Sequence, residues 1–396
     1  MNAADYLTSE RLFTNGKSPK NCMAIHRLIR WAVFALIAWA MPPLHASPSQ
    51  DGTALRTQFV TVEPGIKLEF LDWGGTGRFL VLLAGGGNTA HVFDSFAPKL
   101  ATYYHVIGIT RRGFGLSSVP QNGYGPHRLA DDVVAVLDAM HISNPVLVGH
   151  SIAGEELSAV SKYHPGRAAA LIYLDAGGSF ALYNPEHGDY TPALAELRDD
   201  LSSLQKSLYD DAVISKTSTD LALFQKNLAE VRHEVEGANP PFPQPGDLQS
   251  ISAFQRYMKG FYGGIIPESE VRQLYRIDQN GRVGEWIGHA FANQSVILEE
   301  ERFTSIDTPL LAIFSYPSAP YPSQTKDPKK VAAYRVAEKT RKEAQIAMFR
   351  KQPHAKVFVM PNATHYIFLS REAEVISQIC SFVDGLGDKE ATVRAK

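Results

Sequence analysis

A serine, a histidine and an aspartate stand in this chain in settings that suit acyl transfer. Ser151 lies in Gly149-His150-Ser151-Ile152-Ala153-Gly154. Small residues on either side allow a tight strand-to-helix turn that lifts the hydroxyl above a sheet edge. At that helix N-terminus the Ile152 N–H and the helix dipole can face a developing oxyanion. The bland alternative is a serine N-cap on an ordinary helix. A hydroxyl at its ordinary pKa is a poor nucleophile, so Ser151 needs a base beside it. His365 follows an apolar run, in Pro361-Asn362-Ala363-Thr364-His365-Tyr366, and is the candidate. Of the 13 histidines, His91, His105, His141 and His164 lie on or beside regular elements, and His150 should point away from the hydroxyl. The third group is an acid that holds the imidazole tautomer. Asp175 ends the apolar run after the Ser151 helix, at the strand end where sites gather in open α/β sheets. It also reads as a turn residue, in which case Asp327 or another loop carboxylate would serve.

The elements that must position these groups alternate. Thr57–Val62 and Ile66–Leu71 flank the Pro64-Gly65 turn as an antiparallel start. Phe79–Leu83, His105–Ile109, Pro145–Val148, Ala169–Leu174, Thr308–Phe314 and Lys356–Met360 are short apolar runs that read as buried strands. Leu129–Met140, the stretch after Ser151, Val331–Arg350 and Glu372–Leu386 carry helical patterns. Strands alternating with helices predict a mostly parallel sheet covered on both faces. The alternation stops between Tyr183 and about Ser305, a stretch too long for a loop. Helical patterns at Pro192–Leu208, Leu221–Val235 and Ile251–Tyr262 predict a helical cap inserted after the sixth strand. Its aromatics, Phe254, Tyr257, Phe261 and Tyr262, fit a substrate wall and packing onto the core equally well.

The composition is that of a globular chain. It has 396 residues, 44% hydrophobic and 20% charged, with a formal net charge of −2. Such a charge implies no nucleic-acid or membrane-surface partner. Two cysteines, Cys22 and Cys380, exclude a disulfide framework and show no metal-ligand spacing, and Cys380 reads as a buried small hydrophobe. The first 46 residues read as a secretory signal: His26-Arg27-Leu28-Ile29-Arg30, then the apolar Trp31–Met41, then Pro42-Pro43-Leu44-His45-Ala46. Met23 offers an alternative start that gives a signal of ordinary length. Cleavage after Ala46 would send the protein to the periplasm or medium, and an uncleaved N-terminal membrane anchor is the other reading.

The landmarks together resemble the α/β-hydrolases over roughly residues 57–386: the Gly loop after the third strand, Arg112-Gly113-Phe114-Gly115, the Ser151 turn, and a late histidine. The resemblance implies an eight-stranded, mostly parallel sheet, with core segments at 47–182 and 306–386, a helical cap at 183–305 and a tail from 387. It implies a cofactor-free and metal-free serine hydrolase of esters or lactones, with Ser151, His365 and Asp175 as triad and Ile152 and Gly86 as oxyanion donors. The Gly86 assignment follows from Ala84-Gly85-Gly86, where relatives carry His-Gly and a variable residue, with Gly87 as the alternative donor. Ala153 replaces the last glycine of G-x-S-x-G, and Ala84 replaces the usual histidine. Many relatives place the acid after the strand that here is Leu310–Phe314, whose end Ser315-Tyr316-Pro317 has no carboxylate. Some haloalkane dehalogenases and the zearalenone lactonases place it where Asp175 stands. The same triad would serve a C–C bond hydrolase, and a non-catalytic binding protein on this fold is the remaining reading. The Gly loop lacks G-x-G-x-x-G spacing, which argues against nucleotide binding.

Overall fold

The computed structural model describes residues 56–183, 190–206, 210–222, 225, 242–319 and 327–387. The signal-peptide reading, Cys22 and most of Leu221–Val235 lie outside them. Ten strands are described: β1 (Arg56–Glu63), β2 (Ile66–Gly74), β3 (Phe79–Leu83), β4 (His105–Ile109), β5 (Val146–His150), β6 (Ala170–Leu174), β7 (Tyr275–Ile277), β8 (Val283–Trp286), β9 (Leu310–Ser315) and β10 (Ala355–Met360). Eight of them form one sheet in the order β1-β2-β4-β3-β5-β6-β9-β10. Within it only β2 runs against the rest. The central strands are apolar throughout because both faces are covered, and the pleat divides each between two cores. Leu80, Leu82, Val146, Val148 and Ile172 face one core, with the final helix Glu372–Asp384. Val81, Leu83, Leu147, Leu171 and Tyr173 face the other, with helices Pro126–Ala139, Ala153–Tyr163 and Pro328–Arg350.

Two helices begin about a turn earlier than their apolar patterns suggest, each at a proline. Pro126 opens Pro126–Ala139 and Pro328 opens Pro328–Arg350. Proline lacks the N–H that a first helical position leaves unused, so it starts a helix without losing a hydrogen bond. The segment between β6 and β9 is not purely helical. Besides helices Tyr190–Lys206, Ile251–Tyr262, Glu268–Leu274 and Ala290–Leu298, it holds the antiparallel pair β7–β8. The pair is too short for its alternation to register, and Gly281 (φ 78°) lies in the turn between its strands. The insert's aromatics pack. Phe254 and Tyr262 are buried, and the Tyr262 ring lies 4.1 Å from that of Tyr366. Cys380 is half-buried rather than buried, because it flanks the apolar face of its helix. Among the described residues no helix is long and apolar enough to cross a membrane.

Candidate active site

β5 ends at His150, and Ser151 follows in the left-handed region with φ 55°, its N–H bonding Leu174 O at 3.3 Å. A positive φ is strained for a residue with a side chain, and the neighbours make room for it. A Cβ on Gly149 would come within 3.0 Å of Ala153 O and the Leu157 side chain. A Cβ on Gly154 would lie 2.1 Å from Ala176 O. The turn therefore needs glycine at 154 and is tight at 149, whereas Ala153 sits fully buried. The departure from G-x-S-x-G leaves the turn intact, and Gly154 supplies the close approach between the helix and the end of β6.

Asp175 leaves β6 with φ 48°, its N–H bonded to Ile313 O at 2.8 Å. Its carboxylate is buried and takes four donors. Oδ1 accepts from Ser315 N at 3.0 Å and Lys342 Nζ at 2.5 Å. Oδ2 accepts from Ser315 Oγ at 2.7 Å and from His365 Nδ1 at 2.8 Å. Burial alone would raise this carboxyl, but the Lys342 charge and the His365 hydrogen bond hold it well below the usual carboxylate range. Asp175 is thus ionised, and with Nδ1 donating to it the His365 tautomer leaves Nε2 free to accept a proton. Desolvation pushes His365 below its ordinary value, the Asp175 carboxylate pulls it back up, and the Lys342 charge adds to the depression. Among the described residues the Ser151 hydroxyl makes no hydrogen bond to His365. Such contacts commonly tighten only when substrate is bound. Asp327 is engaged elsewhere, capping the Pro328–Arg350 helix through Lys329 N at 2.9 Å.

The loop after β3 passes directly against the serine turn. A Cβ on Gly85 would fall 2.8 Å from His150 Nδ1 and 3.0 Å from Ser151 Cβ. A Cβ on Gly86 would fall 3.6 Å from Ile152 Cγ2 and 2.9 Å from Asn293 Oδ1. The structure therefore brings Gly86 and Ile152 side by side, next to the nucleophile candidate. His150 packs against His365, with ring centroids 4.6 Å apart and Nε2 at 3.1 Å from His365 O. Burial, then the His365 charge, push His150 well below its ordinary value, so it stays neutral.

Sequence reasoning missed what braces this loop. Ala84 O accepts from Arg111 Nη2 at 2.9 Å, and Arg111 pairs with Glu156 through two contacts of 2.7 Å. Glu155 and Glu156 stand in the first turn of the serine helix, where acids suit the dipole, but both are buried, and Glu156 ties that helix to the β3 loop through Arg111. Farther along, Glu270 of the insert is fully buried against the loop. Its Oε1 accepts from Asn88 Nδ2 at 2.9 Å and Thr89 N at 3.1 Å, and Thr89 Oγ1 donates to Oε2. Asn88 Oδ1 in turn accepts from the hydroxyl of Tyr366, the residue after His365, at 3.1 Å. Burial pushes Glu270 up to about 7 despite the hydrogen bonds from Thr89 and Asn88 and the nearby His91 charge. The contacts of Lys342 and Ser315 with Asp175 were likewise missed by the sequence reading. Lys342 leaves a trace there: Tyr334, Glu338, Lys342, Ile346 and Phe349 form the buried stripe of their helix at steps of three and four.

The described residues contain no cluster of three or more His, Cys, Asp or Glu side chains placed to hold a metal ion. Residues 80–378 match the alpha/beta hydrolase family, and the chain belongs to that family. Among curated relatives it is 26% identical over 225 residues to rat (Rattus norvegicus) bifunctional epoxide hydrolase 2, covering 51% of this chain but only 39% of the relative. It is 24% identical over 239 residues to 2-hydroxymuconate semialdehyde hydrolase of Pseudomonas sp. strain CF600, covering 58% of this chain and 82% of that protein. Solved structures share the fold. E-2-(acetamidomethylene)succinate hydrolase superposes with a TM-score of 0.51 at 17% identity, over 84% of this chain and all (100%) of its own. An esterase from Exiguobacterium antarcticum gives 0.51 at 16%, over 83% and 100%.

Proposed function

We propose that this hydrolase cleaves carboxylic esters or lactones by a serine mechanism. Ser151 Oγ attacks the carbonyl carbon while His365 Nε2 takes its proton. Asp175 holds the resulting imidazolium, and the Gly86 and Ile152 N–H groups hold the oxyanion. His365 then protonates the departing alkoxide and activates the water that releases the acid. The observation that carries the reading is the Asp175–His365 hydrogen bond of 2.8 Å, beside a serine held at φ 55°. The oxyanion donors would supply about 3–4 kcal/mol each. An epoxide-opening mechanism of the aspartate-nucleophile type finds a serine, not an aspartate, at this turn. A C–C hydrolase is the second reading, favoured by the match to the semialdehyde hydrolase. The same residues would act, with water or serine adding to a ketone in place of an ester. We further propose that residues 1–46 are removed on export, which the mass of the mature chain tests.

The deciding experiment combines labelling by a fluorophosphonate with initial rates on p-nitrophenyl esters from acetate to palmitate. Wild type should label and turn over, Ser151→Ala should do neither, and Asp175→Asn should lose about 10³–10⁴-fold in kcat through the wrong imidazole tautomer. An unlabelled, inactive wild type would sink the serine-hydrolase reading. Labelling without ester turnover would direct attention to vinylogous diketone substrates.

A further inference from the structure

The acid of the relay is shared. His365 takes Oδ2 of Asp175 at 2.8 Å, and on the other oxygen Lys342 Nζ stands 2.5 Å from Oδ1. Both ends of that ion pair are buried, Asp175 at 5% and Lys342 at 8% exposure. A buried ammonium loses several kcal/mol of hydration, and one placed here must be held by its partner. Lys342 comes from the middle of the long Pro328–Arg350 helix, where its stem lies in the buried stripe and Nζ stands 5.8 Å from the Phe314 ring. No other described lysine or arginine bonds the Asp175 carboxylate.

Resting on the hydrolase reading above, we propose that Lys342 is a positioning residue of the relay. It pins one oxygen of Asp175, leaves the other for His365, and sets the pH at which His365 becomes a base. The second role follows from charge. A fixed cation on the shared carboxylate disfavours a second cation on the imidazole, so His365 stays neutral to lower pH than with Asp175 alone. The groups that face this cluster are accounted for. Ser315 at the end of β9 donates through N and Oγ and carries no charge. His150 at the end of β5 is neutral. On the helix itself Glu338 is buried and taken up by Arg335 Nη1 at 2.7 Å and Ser318 N at 3.3 Å, and Glu343 by Tyr316 OH at 3.0 Å. Lys342 is therefore the charge that answers Asp175.

The test compares wild type, Lys342→Gln, Lys342→Met and Lys342→Arg, by the acid limb of kcat/KM on a p-nitrophenyl ester and by NMR titration of the His365 imidazole. Removing the cation should move the midpoint of both curves up by about one pH unit. Lys342→Arg should keep it near the wild-type value. In the Gln and Met variants the lost pinning should lower kcat more than it raises KM. If Lys342→Met fails to fold, the Gln and Arg variants carry the comparison. Equal midpoints in wild type and Lys342→Gln, or an Arg variant shifted as far as Gln, would overturn the proposal. The NMR titration does not depend on turnover. An enzyme inactive on every ester but showing the shift would refute the ester-hydrolase reading alone, whereas an active enzyme without the shift would refute the role of Lys342 alone.

Discussion

Replacing Glu270 by glutamine should make the protein more stable at mildly alkaline pH relative to its stability in mild acid. Glu270 titrates at about 7 in the folded protein against an ordinary 4.5. The folded state therefore holds a proton that the unfolded chain has already released. Stability is greatest below the unfolded value, falls as pH rises from 4.5 to 7, and is level above that. Integrated between pH 5 and pH 8, the loss is about 2.5 kcal/mol. The glutamine side chain would keep the packing and most of the hydrogen bonds: its carbonyl can accept from Asn88 Nδ2 and Thr89 N, and its amide can donate to Thr89 Oγ1. It would carry no charge to desolvate, so the slope should vanish. His91 is the background. Burial lowers it, but Asp94 and Glu69 raise it to about 9, so its contribution is present below 6.5 and lost as pH rises through 9. That contribution is present in both proteins, and only its coupling to the Glu270 charge survives in their difference. Urea unfolding of wild type and Glu270→Gln near pH 5, 6, 7 and 8 measures it. Parallel stability curves would mean that Glu270 ionises normally and that its burial in the loop contact is relieved by water or movement.

Three more expectations concern the same frame. Gly154→Ala puts a Cβ where Ala176 O stands 2.1 Å away and should cost about 2 kcal/mol or more, read as a lowered Tm. Gly86→Ala puts a Cβ 2.9 Å from Asn293 Oδ1, a buried side-chain end that must yield or else shift the loop that carries the proposed oxyanion donor. We expect kcat to fall by about 10²–10³ with little change in KM, and Asn293→Ala to restore much of it, because the clash is with a side-chain end. Arg111→Met strands a buried Glu156 and should cost about 3–5 kcal/mol in denaturant unfolding, while the Arg111→Met/Glu156→Met double variant should regain most of it.

The sheet was legible because burial on both faces leaves an unbroken apolar signature. All eight of its strands lie where the sequence reading expects them, and the Ser151 turn shows itself by the small residues its geometry demands. The residues proposed as base and acid were legible as positions at strand ends, a property of topology that strand order carries. What escaped was polar and long-range. A lysine in a charged helix looks solvated until the helix register shows it inside the stripe. Glu156 in a first helical turn has a sufficient local explanation in the dipole, so nothing in its neighbourhood demands a partner 45 residues away at Arg111. Glu270 sits in a segment without strong periodicity, and its partners Asn88 and Thr89 are 181 or more residues distant. The β7–β8 pair is too short to outweigh the helical composition around it.

These long-range contacts bear on what the insert does. The loop after β3 has a glycine-rich start, which lets it approach the serine turn but gives it no rigidity of its own. Its carbonyl at Ala84 is fixed from the core by Arg111, whereas Asn88 and Thr89 are fixed from the insert by Glu270, and Asn293 of the insert abuts Gly86. The backbone proposed to present an N–H to the oxyanion is thus held between two parts of the fold. An insert that only roofed a pocket would affect substrate choice and KM. One whose buried carboxylate holds this loop must also affect kcat. Exchanging the insert for that of a relative should accordingly fail unless an acceptor is rebuilt opposite Asn88 and Thr89.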